Sequence, residues 1–302
     1  MEPRPYRNLV DFRKMQALLA EGRQAANGTY YVHPGDLAWW LFYNDDATQP
    51  WQSRLRLWMD GRRLVGWSLL SPFYWHAFDV YVKPTLRGSD REREMLAWAV
   101  DQLSADEYIQ TVWVAEDDEF RVRWLEENGF AVREGFMHLL TRPLVEPFAG
   151  PPLPDGFAAR ASRGPEDAER RAAASHAAFG SSMPFDEYCA RTLRFMKSPV
   201  YVNEHELFIT APDEQVAAFC CIWTDHLSKA GYFEPVGVHP AFHRRGLGKG
   251  LLHEGLRRLQ SESMTSASVC AESDNLAAIR LYESAGFQKT KRLLTFRKAK
   301  PS

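Results

Sequence analysis

The stretch from Glu234 to Leu252, EPVGVHPAFHRRGLGKGLL, most constrains how this 302-residue chain can fold. β-branched and aromatic residues from Tyr232 to Val238 are typical of a strand, which Pro240 ends. Leucines then recur at about helical spacing from Leu247 onwards. The stretch therefore predicts a strand, a short basic loop and a helix with one apolar face.

The loop between this strand and helix favours an anion. Gly246, Gly248 and Gly250 carry no Cβ, so the backbone can approach a ligand closely. The first N–H groups of a helix lack intrahelical partners, and the helix dipole adds positive charge there. The cations of the loop are Arg244, Arg245 and Lys249. Together these features predict a phosphate or pyrophosphate site.

Two common phosphate-binding patterns do not fit the loop. The Walker pattern needs Ser or Thr after its Lys, but Gly250 follows Lys249. The dinucleotide fingerprint needs a third Gly where Leu251 stands. The pattern that does fit is R-x-x-G-x-G, from Arg245 to Gly250.

With the later runs Glu272-Ser-Asp-Asn275 and Leu281-Tyr-Glu-Ser-Ala-Gly-Phe287, this loop resembles the GNAT superfamily of acyl-CoA N-acyltransferases. The resemblance implies a transferase, specifically an acetyltransferase, with acetyl-CoA as acyl-donor co-substrate. It implies that Val236, Gly237 and Val238 lie beside the pantetheine arm. The residues implied for the pyrophosphate are His243, Arg244, Arg245, Gly246, Leu247, Gly248 and Lys249. Asn275 is a candidate pantetheine contact, and the alternative is that it only caps the next helix.

Two residues are candidates for acid–base chemistry. The resemblance matches Tyr282 to the family's general acid, and a phenol near pKa 10 can protonate a leaving thiolate near pKa 8.5. Glu234 is the candidate general base, because strand alternation would place it on the face of Val236. The rival candidates in the same region are Asp225, His226 and Tyr232.

The chain contains an internal duplication. Tyr81–Pro84 matches Gly237–Pro240 at an offset of 156, and the run that ends in Gly129-Phe130 matches the run that ends in Gly286-Phe287 at an offset of 157. Prolines and glycines mark a linker at about 143–156. We therefore expect domains at 1–145 and 156–302. The fold class is α+β, with two tandem GNAT-fold domains, each a mostly antiparallel twisted sheet flanked by helices, in an arrangement similar to the mycothiol synthase type.

The first copy is predicted to be degenerate. At the offset of 156, Asp90, Glu92 and Glu94 replace the three loop glycines. Three acidic side chains would repel a pyrophosphate, so we expect the first domain to be a structural or acceptor-site half.

The composition of the chain limits the kinds of partner and the cellular setting that we expect for it. A net charge of −2 gives no electrostatic case for nucleic acid. Four cysteines without metal or disulfide spacing indicate a reducing, cytoplasmic setting and no metal site, with Cys220 and Cys221 as core residues. The N-terminus lacks a signal-peptide pattern, and no apolar run is long enough to span a membrane. Nine of the ten tryptophans precede the linker, which indicates a large aromatic core or an acceptor pocket that uses Trp39, Trp40 or Trp75.

The predicted function is acetyl transfer from acetyl-CoA to a primary amine of a small molecule, by direct attack in a ternary complex. The alternative is a non-catalytic acyl-CoA-binding or regulatory module. The residues leave the acceptor open among a polyamine, an aminoglycoside, an amino sugar, a cysteinyl glycoside and a protein N-terminus. The tandem copies are compatible with a monomer.

Overall fold

The structure is a computed structural model that describes residues 2–26, 31–43, 51–70, 76–103, 108–145, 150 and 152–299. The chain forms two compact units. Unit 1 comprises residues 1–139, 272–274 and 291–302, and unit 2 comprises residues 140–271 and 275–290. The last strand of the chain therefore lies mainly in unit 1, although the sequence suggested a simple division along the chain.

Unit 1 is a mixed sheet with four helices. Its elements are β1 (Glu2–Pro5), α1 (Leu9–Ala25), α2 (Pro34–Phe42), β2 (Leu55–Asp60), β3 (Arg63–Leu70), β4 (Ala77–Val82), α3 (Asp90–Gln102), β5 (Tyr108–Ala115), α4 (Glu119–Glu127) and the first part of β6 (Ala131–Pro143). Strands β1 to β5 pair in sequence order, and β4 and β5 are parallel. The last strand, β12 (Gln288–Ala299), adds to β5 in antiparallel fashion from Leu293 to Ala299.

Unit 2 repeats this order of elements. They are β7 (Ala158–Ala161), α5 (Ala168–Ala178), α6 (Phe185–Met196), β8 (Glu206–Thr210), β9 (Val216–Asp225), β10 (Ala230–Val238), α7 (Leu247–Ser261), β11 (Ser266–Glu272) and α8 (Leu276–Ser284). Strands β7 to β10 pair in an antiparallel order, and β10 pairs with β11 in parallel. A single parallel pair in an otherwise antiparallel sheet therefore recurs in each unit.

Helix α7 packs closely on the sheet of unit 2 because two glycines leave room for it. A Cβ on Gly255 would lie 2.4 Å from the ring of Phe233, and one on Gly231 would lie 2.5 Å from the side chain of Leu259. Leucines of α7 complete the core beneath the strand. This close packing fixes the start of α7 beside the end of β10.

The loop before α7 is one residue longer than its counterpart in unit 1. Strands β4 and β10 end 156 residues apart, at Val82 and Val238, whereas α3 and α7 begin 157 residues apart, at Asp90 and Leu247. The extra residue of unit 2 therefore lies in the loop before α7, where the sequence predicts anion binding.

A paired ionic contact ties the first helical segment to the edge strand in each unit. Arg4 holds Asp11 through two hydrogen bonds of 2.8 and 2.6 Å, and Arg160 holds Asp167 through two of 2.6 and 2.9 Å. Both pairs are separated by seven residues and recur at an offset of 156. The sequence analysis did not use this signal, although it supports the same duplication.

Two features of unit 1 do not follow from simple sequence patterns. The turn signal His33-Pro34-Gly35-Asp36 predicts a helix capped by Asp36, but α2 begins at Pro34 and its cap is His33, which accepts from the Gly35 N–H at 3.0 Å. Asp36 instead accepts from the His33 N–H at 2.7 Å, so the two residues form a reciprocal capping box. Strand β1 was not predicted, because its two prolines obscure the strand pattern.

The tryptophans that the structure describes support the aromatic-core interpretation. Trp39 stacks on Tyr43, and Trp40 stacks on Trp113 with ring centroids 4.6 Å apart. Both Trp39 and Trp40 are buried. Trp75 lies outside the described residues.

Candidate active site

The centre of unit 2 is a gap between two parallel strands. Strand β10 pairs with β11 only from Ala230 to Phe233. A register shift at Glu234-Pro235 then carries β10 away, and the residues from Val236 onwards pair with β9 alone. The bulge therefore opens one edge of β10 in the middle of the sheet.

The backbone of the opened segment faces this gap. The His239 N–H donates to the Ala217 carbonyl on β9 at 2.9 Å. Since backbone groups alternate in direction along an antiparallel pair, those of Val236 and Val238 point away from β9. The Val238 carbonyl does contact His243 Nε2 on that side, at 3.0 Å. The edge offers the donors and acceptors that an amide-containing chain needs in order to pair like another strand.

The gap leads to the start of α7, which has no side-chain cap. Its N-cap is Gly246, with a φ of 77°, a left-handed conformation that suits glycine. Gly248, in the first turn, lies where a Cβ would be 3.1 to 3.2 Å from the side chains of Leu281 and Val238. The first N–H groups of α7 are thus left for an external acceptor.

The charges around this helix start are unneutralised. Arg244 and Arg245 are exposed, and Lys249 is half-buried. Within the described part of the chain, none of the three forms a salt bridge. Arg245 instead lies over the ring of Phe242, 5.6 Å from its centroid. The predicted loop residues therefore come together as a positively charged site at the end of the gap.

Tyr282 lies in the core of unit 2, on α8. Its side chain is buried, with 6% of its surface exposed. Burial, and then the negative charge of Glu234, raise the pKa of the Tyr282 phenol well above its ordinary value. The phenol is therefore held in its protonated form, ready to donate, and the structure brings the two predicted acid–base residues into electrostatic contact.

The reasoning that placed Glu234 needs correction. We expected simple alternation to put Glu234 on the face of Val236, but the bulge interrupts that alternation. Phe233, Val236 and Val238 all pack against the same hydrophobic core. Glu234 is half-buried, and its backbone carbonyl accepts from Trp223 Nε1 at 2.7 Å. Its position beside Tyr282 is thus a property of the bulge.

Sequence reasoning missed Trp223, which holds this bulge from the neighbouring strand. Trp223 lies opposite Tyr232 in the register of β9 and β10. Only that pairing brings its indole to the Glu234 carbonyl, so a strand-register argument would have been needed to find it.

The rival base candidates have other surroundings. The Asp225 carboxylate accepts from the backbone N–H groups of Leu227 and Ser228, both at 3.2 Å, so it holds the turn after β9. Tyr232 is buried, and His226 is exposed.

Asn275 caps α8, since its side chain accepts from the Ala278 N–H at 3.1 Å. This contact is the alternative that the sequence left open. Its proposed role toward pantetheine stays a prediction.

Thiol and metal chemistry have less support in the described residues. All four cysteines have free thiols, and burial raises the pKa of Cys220 and Cys221 above the ordinary value. The residues that the structure describes contain no group of three or more His, Cys, Asp or Glu side chains arranged to hold a metal ion. In the same residues, no helix combines the length and the apolar character needed to cross a membrane.

The profile of the Acetyltransferase (GNAT) family matches residues 173–287, which lie mostly in unit 2. Among curated proteins, a mycothiol acetyltransferase of Segniliparus rotundus is 27% identical over 69% of this chain and 80% of its own length. A mycothiol acetyltransferase of Thermobispora bispora is 26% identical over 80% of this chain and 82% of its own length.

Solved structures share the fold along the whole chain. A tandem GNAT protein from the clavulanic acid biosynthesis pathway superposes with a TM-score of 0.71 at 14% identity, covering 100% of this chain and 99% of its own. A GCN5-related N-acetyltransferase from Sphaerobacter thermophilus gives a TM-score of 0.66 at 18% identity, covering 100% of this chain and 96% of its own. These superpositions confirm the predicted tandem GNAT fold. The family profile and the curated relatives support the predicted class of enzyme, an N-acetyltransferase.

Proposed function

We propose that unit 2, where the GNAT family profile matches residues 173–287, transfers an acetyl group from acetyl-CoA to a primary amine of a small molecule. Relatives named for mycothiol support a small-molecule acceptor. The free cysteines are compatible with the reducing, cytoplasmic setting that we propose for the enzyme.

One observation carries the proposal: a single gap connects an anion site to an acid–base pair. The uncapped start of α7 and the cations Arg244, Arg245 and Lys249 lie at one end. The open backbone edge at Val236 and Val238 leads from there to Tyr282 and Glu234. This order suits a long donor with a pyrophosphate at one end and a thioester at the other.

The residues fit the acetyl-CoA that the family implies. Gly248 leaves the helix start free of side-chain bulk, and the N–H groups there can receive phosphate oxygens. His243 to Lys249 would hold the pyrophosphate, and Val236 to Val238 would pair with the pantetheine amides.

Two residues then move protons in the ternary complex. Glu234, directly or through a water, accepts the proton of the acceptor's ammonium group, whose pKa is about 10. The neutral amine attacks the thioester carbonyl, and its C–N bond forms as the C–S bond breaks. Tyr282 donates its phenolic proton to the leaving thiolate, the new amide nitrogen gives its surplus proton to the Tyr282 phenolate or to water, and Glu234 releases its proton to solvent.

Replacement of Tyr282 by Phe tests this assignment. We expect kcat to fall about 10²- to 10⁴-fold, the usual contribution of a general acid, with little change in acetyl-CoA affinity. Steady-state CoA release and calorimetric titration measure the two quantities. Tyr188→Phe is the matched control, because Tyr188 is also buried in unit 2 but lies on α6. An unchanged kcat in Tyr282→Phe would remove this tyrosine from the mechanism.

A panel of amines separates the enzyme from its alternative. CoA release that depends on an amine supports the transferase. Tight acetyl-CoA binding without turnover of any amine would instead indicate a non-catalytic acyl-CoA-binding module.

A further inference from the structure

Unit 1 contains a cleft of its own between β4 and β5. The parallel pairing of these strands covers only Ala77 and Phe78 on β4. Beyond that point they enclose a solvent-open cleft with a cavity volume of about 30 Å³. The side chains that matter for its chemistry are Tyr31, Asp79, Arg87, Trp113, Asp118 and Arg121.

Two ion pairs join the start of α3 to the start of α4 around this cleft. Arg87 pairs with Asp118, and Arg121 pairs with Glu92 at 2.6 Å. Glu92 is fully buried, and its other oxygen accepts from the Gly88 N–H at 2.8 Å. A carboxylate of the protein thus occupies the helix start where unit 2 leaves its N–H groups open. The cleft suits a compact ligand better than a nucleotide.

The charges of this cleft do not balance. Asp118 and Glu92 form ion pairs with the guanidinium groups of Arg87 and Arg121. The Asp79 carboxyl takes part in neither pair. Among the residues that the structure describes, Asp79 forms no salt bridge. Burial raises its pKa to about 6, against the opposing effects of Arg121, the Val80 backbone N–H and Arg87. Above that pH the half-buried Asp79 carboxylate adds a negative charge that no salt bridge within the described residues offsets.

We propose that this cleft binds a small organic monocation, whose ammonium group donates to the Asp79 carboxylate. The rings of Tyr31 and Trp113 line the same space and can contact an alkyl or cationic group. A cavity of about 30 Å³ is far smaller than the roughly 300–1,000 Å³ typical of ligand pockets, so it admits an ammonium group and leaves the rest of the ligand in the open cleft. The site is independent of acetyl transfer in unit 2.

Amide chemical shifts of the full chain test the proposal with n-butylammonium as the probe and n-butanol as its neutral counterpart. We expect the ammonium, and not the alcohol, to shift the amide signals of Asp79, Val80 and Trp113. Asp79→Asn should weaken this binding at least about tenfold. Asp60→Asn, an exposed change in the β2–β3 hairpin, should leave it unchanged.

Several results would overturn the proposed cation site in unit 1. Unaltered binding to Asp79→Asn, or tighter binding of inorganic pyrophosphate at the same amides, would exclude a cation site. Amide shifts confined to Glu234 and Val236 would mean that the amine binds only as an acceptor in unit 2. The absence of any shift would exclude binding of the amine at either place. If Asp79→Asn fails to fold, the carboxyl ¹³C titration of the wild-type chain decides, because bound ammonium must lower the pKa of Asp79.

Discussion

Units 1 and 2 place a helix at the same point behind a pair of diverging parallel strands, but they treat its N-terminus in opposite ways. In unit 2 the loop ends in Gly246, and no side chain caps α7. In unit 1 the loop is one residue shorter, and Ser89 Oγ caps α3. The Glu92 carboxylate accepts a hydrogen bond from the Gly88 N–H. We propose that the duplicated fold keeps an anion site in one copy and fills the corresponding place with its own carboxylate in the other.

The difference shows why the acidic residues of unit 1 are not equivalent. Asp90 and Glu94 are exposed to solvent, so their charge is screened. Glu92 is buried between a guanidinium group and a backbone N–H. Simple repulsion, which the sequence suggested, is therefore less important than occupation of the site by one residue.

The largest expected effect on ligand binding comes from a carboxylate placed at the helix start of unit 2. Gly248→Glu should weaken acetyl-CoA binding at least about 100-fold, or about 2.7 kcal/mol, because a carboxylate would enter the crowded first turn of α7. Calorimetry should give one acetyl-CoA per wild-type chain and none for the variant.

Glu94→Gln serves as its matched control on α3 and should bind like the wild type. Two equivalent sites per chain would break the comparison between the units. A melting curve close to that of the wild type shows that Gly248→Glu still folds.

The next effect concerns the carboxylate that fills unit 1. Glu92→Gln removes one partner of a buried ion pair and leaves Arg121 uncompensated, so unfolding should cost about 3–5 kcal/mol less. Chemical denaturation measures this loss. Glu94→Gln, whose side chain pairs with Arg91 at the surface, should change stability by less than about 1 kcal/mol. Equal effects of the two changes would mean that burial does not distinguish Glu92.

The sequence predicted most of the secondary structure because hydrophobic periodicity is local. Strand β8 was predicted to the residue, and α1 to within one residue at its end. The loop glycines also identified the helix start that lacks a cap. Such features depend on a few neighbouring residues, whose types restrict the backbone directly.

Other features depend on residues that are distant along the chain. The bulge at Glu234 shows itself only when β10 is aligned with β9, and Trp223 holds it from that strand. In the cleft of unit 1, Asp79, Arg87 and Arg121 come from a strand, a loop and a helix. No spacing rule joins these three residues, so their charge balance required the fold.

The smallest effect is the pH dependence that Asp79 gives to the stability of the folded chain. It is also the effect that best separates the two units. Burial raises its folded pKa to about 6, above the roughly 3.9 of an unfolded aspartate. Below about pH 4 both states are protonated and the carboxyl costs nothing. Between about pH 4 and pH 6 the unfolded chain ionises this carboxyl while the folded chain keeps it protonated, and about 3 kcal/mol of stability is lost before the folded group ionises as well. Asp79→Asn never ionises, so its stability relative to the wild type should rise between pH 4 and pH 7.

Denaturation of both proteins across that pH range measures this difference, and addition of n-butylammonium sharpens it. A bound ammonium lowers the folded pKa of Asp79, so the probe should restore stability to the wild type above pH 6 and leave Asp79→Asn unaffected. A stability difference that is flat with pH would mean that Asp79 ionises as easily in the folded chain as in the unfolded one. The negative charge of unit 1 would then be solvated, and its cleft would have no greater need of a cation than the gap of unit 2.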